Sequence, residues 1–131
     1  MAELNCVVVT PEETFLDTKT AFVAVSLFDG EIGIAPQHSP LIGRLGFGEM
    51  RLGTGDNIQR YYVDGGFVQV ADDVVSILTN RVLPVADLDA ETIAEQLESV
   101  RSEPAKTVEM MEIRDRAVSQ ARAQLRLAQR S

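Results

Sequence analysis

The feature that most constrains this chain is a change of hydrophobic period at Asp87. Upstream of it, short runs rich in Val, Ile and Leu alternate with turn residues. Downstream, apolar residues return every three or four positions. A period of two marks strands and a period of 3.6 marks helices, because of where successive Cβ atoms point. Strands gathered first and helices gathered last exclude an interleaved parallel α/β fold and imply an α+β chain.

The upstream runs can be placed one by one. Leu4–Val9 is rich in β-branched residues and is stopped by Pro11. Thr14–Asp17 is a second short strand. Thr20–Phe28 alternates throughout, with Ala21, Val23, Val25 and Leu27 on one face and Phe22, Ala24, Ser26 and Phe28 on the other. Glu49–Leu52 and Ile58–Val63 form a hairpin around the turn residues Gly53–Asn57, and Asp64-Gly65-Gly66 is a further turn. Phe67–Val70 and Val74–Leu78 flank Ala71-Asp72-Asp73 as another hairpin. Val82–Val85 is the last strand, and Pro84 assigns it to an edge. The spacing predicts about nine or ten short strands, as in a sandwich or a flattened barrel.

Within this region Gly30–Leu41 holds two glycines, two prolines and the only histidine. Glycine permits positive φ, whereas proline fixes φ and restricts its predecessor. The stretch predicts a turn, a short strand and a shaped loop with His38 at its tip.

Downstream, Asp89 can cap a helix over Ala90–Arg101, with Ile93, Leu97 and Val100 on one side. Ser102–Lys106 breaks it. Thr107 caps a second helix running to about Gln129, with Met110, Ala117, Ala121, Leu125 and Ala128 along one side. The two make an antiparallel helical hairpin. The expected division is residues 1–86 and 87–131. From Asp87 to Glu112 eight acids face two bases, a net −6, whereas from Ile113 onward five arginines face one acid, a net +4. Arg122, Arg126 and Arg130, four residues apart, can form a ridge for an acidic partner, or simply complement the helix macrodipole.

Composition removes several classes of function. A net charge of −8 opposes nucleic-acid binding, which requires neutralising phosphates. No apolar run reaches the roughly 20 residues that span a bilayer. Met1-Ala2-Glu3 lacks the basic flank of a secretory signal, so a soluble cytoplasmic chain is expected. The single Cys6 alternates with Leu4 and Val8 and reads as a core residue. One Cys and one His make no zinc cluster, and no metal or cofactor site is expected. Nucleophile and phosphate-loop motifs are missing; Gly43–Gly48 does not follow a strand and open a helix. Asp72-Asp73 reads as turn chemistry rather than as a catalytic pair. No catalytic residue is expected.

Several motifs in register resemble the epsilon subunit of bacterial F-type ATP synthase. They are Gly30-Glu31-x-Gly33-Ile34-x-Pro36-x-His38-x-Pro40-Leu41, Gly65-Gly66-Phe67-x-x-Val70 and Val75-x-Ile77-Leu78. Thr10-Pro11-Glu12 and Leu88-Asp89 agree in order and spacing, so the resemblance covers nearly the whole chain. It implies an N-terminal ten-stranded β-sandwich followed by the two-helix hairpin. It further implies a non-catalytic rotor subunit of the central stalk in a proton-translocating synthase, although the c-ring rather than this chain decides the ion. The sandwich would bind the gamma subunit and the c-ring, and the hairpin would brake ATP hydrolysis. Such a subunit sits peripherally at the cytoplasmic face of the inner membrane, touching it only through the complex.

By position, the resemblance assigns Glu31, His38, Pro40 and Leu41 to the c-ring and gamma interface. Glu31 would offer a carboxylate to basic loops, and His38 a polar contact able to titrate. Arg114, Arg116, Arg122 and Arg126 would approach an acidic region of the beta subunit. One departure bears on an alternative role as a nucleotide-sensing module. Nucleotide-binding relatives carry Ile/Leu-Asp-x-x-Arg-Ala where this chain has Leu88-Asp89-Ala90-Glu91-Thr92-Ile93. A phosphate-facing cation is thus replaced by Thr92, which counts against a nucleotide site.

Overall fold

The computed structural model describes residues 3–130; Met1 and Ala2 of the N-terminal reading lie outside them, as does the side chain of Arg130. The chain divides into two compact units, with the boundary between Pro84 and Val85. The first holds eight strands: β1 (Leu4–Val9), β2 (Thr14–Thr20), β3 (Val23–Leu27), β4 (Gly30–Ile34), β5 (Leu41–Leu52), β6 (Gln59–Ala71), β7 (Val74–Leu78) and β8 (Val82–Pro84).

These strands form one sheet in the order β2-β1-β7-β6-β5-β3-β4, with β8 paired to β6. Pairing is antiparallel except between β1 and β7. The two long strands, β5 and β6, belong to both halves of the sheet. Tyr61–Val63 of β6 pairs with β8, whereas Phe67–Ala71 of the same strand pairs with β7. The sheet encloses a core drawing Leu4, Cys6 and Val8 from β1, Val23 and Val25 from β3, Val68 and Val70 from β6, and Val75 and Ile77 from β7. Each set alternates along its strand, as a sheet with one buried face requires.

The β-sandwich class is as expected, but the strand count among the described residues is eight rather than ten. Ile58–Val63 and Phe67–Val70 are halves of one strand. Gly65 and Gly66 lie between them at φ 74° and 105°, and the ladder with β5 runs on to either side of them. A side chain at Gly66 would drive its Cβ into the Leu78 carbonyl oxygen, so this glycine marks a bend and a close approach, not an exit from the sheet. The first half of β5 was also hidden. Gly43 and Gly46 look like loop residues, yet Leu27 occupies the space where their side chains would be. Conversely, Thr20–Phe28 is not one strand. Thr20 closes β2 and its hydroxyl donates to the Phe22 carbonyl at 3.2 Å, turning the corner before β3.

The second unit opens with a 3-10 turn over Val85–Asp87, followed by α1 (Ala90–Ser102) and α2 (Val108–Arg130). Asp89 caps α1, accepting from the Glu91 amide at 3.1 Å, and Thr107 caps α2, accepting from the Met110 amide at 3.1 Å. Ile93, Leu97 and Ala121 form the centre of the hairpin, flanked by Leu88, Val118, Leu125 and Ala128. Met110, expected on that side, is left largely exposed.

Candidate functional site

Three surfaces are candidates, and two of them carry the residues singled out above. The first is the connection from β4 to β5. Glu31 lies near the start of β4, opposite Ser26, while His38 and Pro40 follow the end of that strand. Glu31 and His38 are therefore set toward opposite ends of a short strand rather than side by side. Pro40 is exposed, but Leu41 packs against the main core and has a structural task. The His38 Nδ1 lies 2.7 Å from the Ser39 carbonyl oxygen. Since a carbonyl only accepts, Nδ1 carries the proton and Nε2 is left for other partners.

Glu31 is already engaged within the sheet. Its carboxylate receives Arg51 at 2.6 Å; Arg51 also reaches Glu49 at 2.7 Å, and Arg60 Nε donates to Glu49 at 2.6 Å. This chain of four alternating charges crosses β4, β5 and β6. Glu49 is its buried member. Burial alone would push its carboxyl up, but hydrogen bonds from Arg51 and Arg60 outweigh that and hold it below the ordinary value. A partner's cation at Glu31 would have to compete with Arg51.

The loop itself, 35–40, is tied to the β6–β7 turn. Asp72 and Asp73 adopt φ 51° and 62°, the mirror-image geometry of a tight hairpin turn. The Asp73 carboxylate accepts the Gln37 amide at 2.6 Å, and Gln37 sits at φ 65°. Sequence alone showed the turn but not this bond, because nothing local links residues 36 positions apart.

The second surface was not foreseen. One register row runs from Val9 through Leu78 and Phe67 to Arg44, crossing β1, β7, β6 and β5. Phe67 is 57% exposed and Leu78 50%. The Arg44 guanidinium lies 4.8 Å over the ring of Phe28, itself 71% exposed. Ile42 is exposed one row away. Val9, Pro11, Arg44, Phe67 and Leu78 line a shallow cleft of about 750 Å³. The signal available in sequence was Val74–Leu78, where two of the three outward residues, Val74 and Leu78, are apolar.

The third surface is the arginine-rich part of α2. Arg114 and Arg122 share a cleft of about 470 Å³ with Arg101 of α1. Arg116 is two residues from Arg114, about 200° round the helix, so the four arginines do not make one ridge. Arg114 lies 3.6 Å from Asp115, and among the described residues Arg116, Arg122 and Arg126 form no ion pair. At the head of α1, both carboxylate oxygens of Asp89 are used: one by the Glu91 amide, the other by the Thr92 hydroxyl at 2.9 Å.

Other candidate chemistry recedes. Burial, aided by the charge of Asp17, pushes the Cys6 thiol up to about 12, so the nucleophilic thiolate is not formed near neutrality. Among the described residues no three His, Cys, Asp or Glu are gathered to hold a metal ion.

Comparison with known proteins agrees with this geometry. Residues 3–85 match the family described as ATP synthase, Delta/Epsilon chain, beta-sandwich domain. The ATP synthase epsilon chain of Rhodopirellula baltica is 50% identical over 94% of this chain and 96% of its own length. The sodium ion specific ATP synthase epsilon chain of Propionigenium modestum is 28% identical, over 92% of this chain and 85% of its own. In solved structures, a chain of the Euglena gracilis mitochondrial ATP synthase, in an OSCP/F1/c-ring assembly, superimposes with a TM-score of 0.83 at 23% identity. It covers 94% of this chain and 79% of that one. A chain from the central stalk and c-ring of the Tetrahymena thermophila enzyme gives 0.73 at 14%, covering 97% of each. With the β unit matched throughout and half the residues of a full-length relative shared, this chain belongs to the ATP synthase epsilon chain family.

Proposed function

We propose that this chain is a non-catalytic central-stalk subunit of a rotary ATP synthase, joining gamma to the c-ring. The observation that carries this reading is the exposed patch of Leu78, Phe67 and Arg44, with Phe28 under the Arg44 guanidinium. In a small β unit whose buried side-chain polar atoms are paired among the described residues, such an apolar patch is retained for a partner. Its mixture of rings, aliphatic side chains and a guanidinium is the composition of a protein–protein interface centre. We assign it to gamma. The loop carrying His38 and Pro40, with Glu31 behind it, is assigned to the polar loops of the c-ring. Leu41 contributes only by holding the loop's base.

The chain then reaches the membrane through the complex, on its cytoplasmic face; among the described residues no helix is long and apolar enough to cross. The helical unit is assigned the braking of ATP hydrolysis. Arg116, Arg122 and Arg126, which form no ion pair among the described residues, supply charge for an acidic surface of the beta subunit. A nucleotide-sensing role is the weaker reading, since Thr92 stands where a phosphate-binding cation is needed and its hydroxyl is committed to Asp89.

The test is capture of gamma by the full chain carrying Phe67→Asp with Leu78→Asp. Both side chains are largely solvent-facing, so the fold should survive. Affinity is expected to drop by at least a hundredfold, about 3 kcal/mol; unchanged capture would remove the patch from the interface. Deleting residues 103–131 should raise hydrolysis by the assembled complex. Unaltered hydrolysis would leave the chain with coupling alone.

A further inference from the structure

We infer that Asp73 is a positioning residue for the 35–40 loop, setting from the neighbouring hairpin turn how His38 and Pro40 are presented. This rests on the reading of that loop as a docking surface. Two left-handed residues meet here. Gln37 holds φ 65°, a region few side chains other than Asn and Asp visit without an imposed contact. The imposed contact is the 2.6 Å bond from its amide to the Asp73 carboxylate, a charge-assisted bond of the strong kind.

The anchor itself is fixed. The Asp73 carbonyl accepts the Asn5 amide at 2.8 Å, and Ala71 pairs with Val74 across the turn. Asp73 thus ties β1, the β6–β7 turn and the loop together. The residue type is informative as well. The second central position of such a turn, at φ 62°, is the one glycine fills most easily. An Asp there gives up some turn preference, and its carboxylate gains the loop. Pro36 and Pro40 stiffen the backbone on either side of Gln37, so a hold on that residue orients the whole connection.

The identity of the second turn position supplies the test. Asp73→Gly keeps the turn and the bond from Asn5, and removes only the clamp; Asp73→Asn keeps an oxygen acceptor and tolerates the same φ. In the full chain, exchange of the Gln37 amide should quicken about tenfold in Asp73→Gly and stay near the original rate in Asp73→Asn. Capture of the gamma-bound chain by purified c-ring should weaken about tenfold with Gly and recover with Asn, at unchanged melting temperature. Unaltered Gln37 exchange in Asp73→Gly would overturn the clamp. Faster exchange with undiminished capture, while His38→Ala with Pro40→Ala does weaken capture, would overturn positioning but keep the docking reading. Indifference of capture to all these variants would sink both together.

Discussion

The two units of this chain solve the problem of stability differently. The β unit buries Leu4, Val8, Val25, Ile34, Met50, Val63 and Ile77 completely in one core. The hairpin centres on Ile93, Leu97 and Ala121 and leaves Val108, Met110, Met111 and Ile113 exposed toward its tip. In the first, charge is tied into the chain Glu31–Arg51–Glu49–Arg60; in the second, among the described residues, Arg116, Arg122 and Arg126 of α2 form no ion pair. On the proposed assignment, a platform that keeps its shape under load would need cooperative packing. An arm that changes partners would need a small core, because only a small free-energy difference can be reversed by binding. Variants that act on one unit and spare the other are the way to test this contrast.

The largest effect is expected at Gly66. A methyl group there collides with the Leu78 carbonyl, and both the backbone of β7 and the left-handed φ forbid relief. Gly66→Ala should cost about 4 kcal/mol or more, read as loss of cooperative β-unit unfolding in a denaturant titration. Survival of that transition with an unchanged midpoint would mean the two halves of the sheet are not held together there. Next is Leu97→Ala in the hairpin, about 2–3 kcal/mol for a buried leucine in a small cluster. Amide exchange should accelerate in α1 and α2 while the β-unit amides keep their protection. Acceleration spread evenly over both units would make them one cooperative body.

These two predictions also show how much was legible in sequence. The hairpin was readable in its caps, its break and most of its apolar stripe, since these are local signals separated by three or four positions, although Met110, expected on the stripe, is exposed. The strands of the β unit were readable as runs, but not as a count. Gly43, Gly46 and Gly66 have the letter of a turn residue, and only the partner strand reveals that the letter means close approach. The candidate site was half visible for the same reason. His38 and Pro40 stand out in the chain, whereas the exposed row Val9–Leu78–Phe67–Arg44 exists only once four strands are in register. Asp73 was seen as a turn, and its bond to Gln37 belongs to tertiary structure alone.

A smaller effect separates the units by pH. Burial raises the Glu49 carboxyl, yet the hydrogen bonds from Arg51 and Arg60 more than offset this and hold it below the ordinary value of 4.5. Its folded-state value being the lower one, its contribution is complete above about pH 4.5 and disappears as pH falls through that lower value. Glu49→Gln should cost about 2 kcal/mol at neutral pH, and progressively less in acid, as protonation disarms the original residue too. Parallel pH profiles for the two proteins would show that ionisation of Glu49 adds nothing to stability.

The smallest and most local effect concerns the start of α1. Asp89 accepts the Glu91 amide with one oxygen and the Thr92 hydroxyl with the other, so Asp89→Ala frees an amide that helix geometry cannot satisfy. A loss of about 1 kcal/mol is expected, confined to the hairpin and visible as faster exchange in the first turn of α1. Asp89→Asn should fall between, keeping an acceptor while surrendering the favourable charge at the positive end of the helix. If β-unit amides lost protection along with α1, the cap would be supporting more than the arm. The contrast between a unit with a large core and a hairpin with a small one would then have to be redrawn at Asp89 rather than at Pro84.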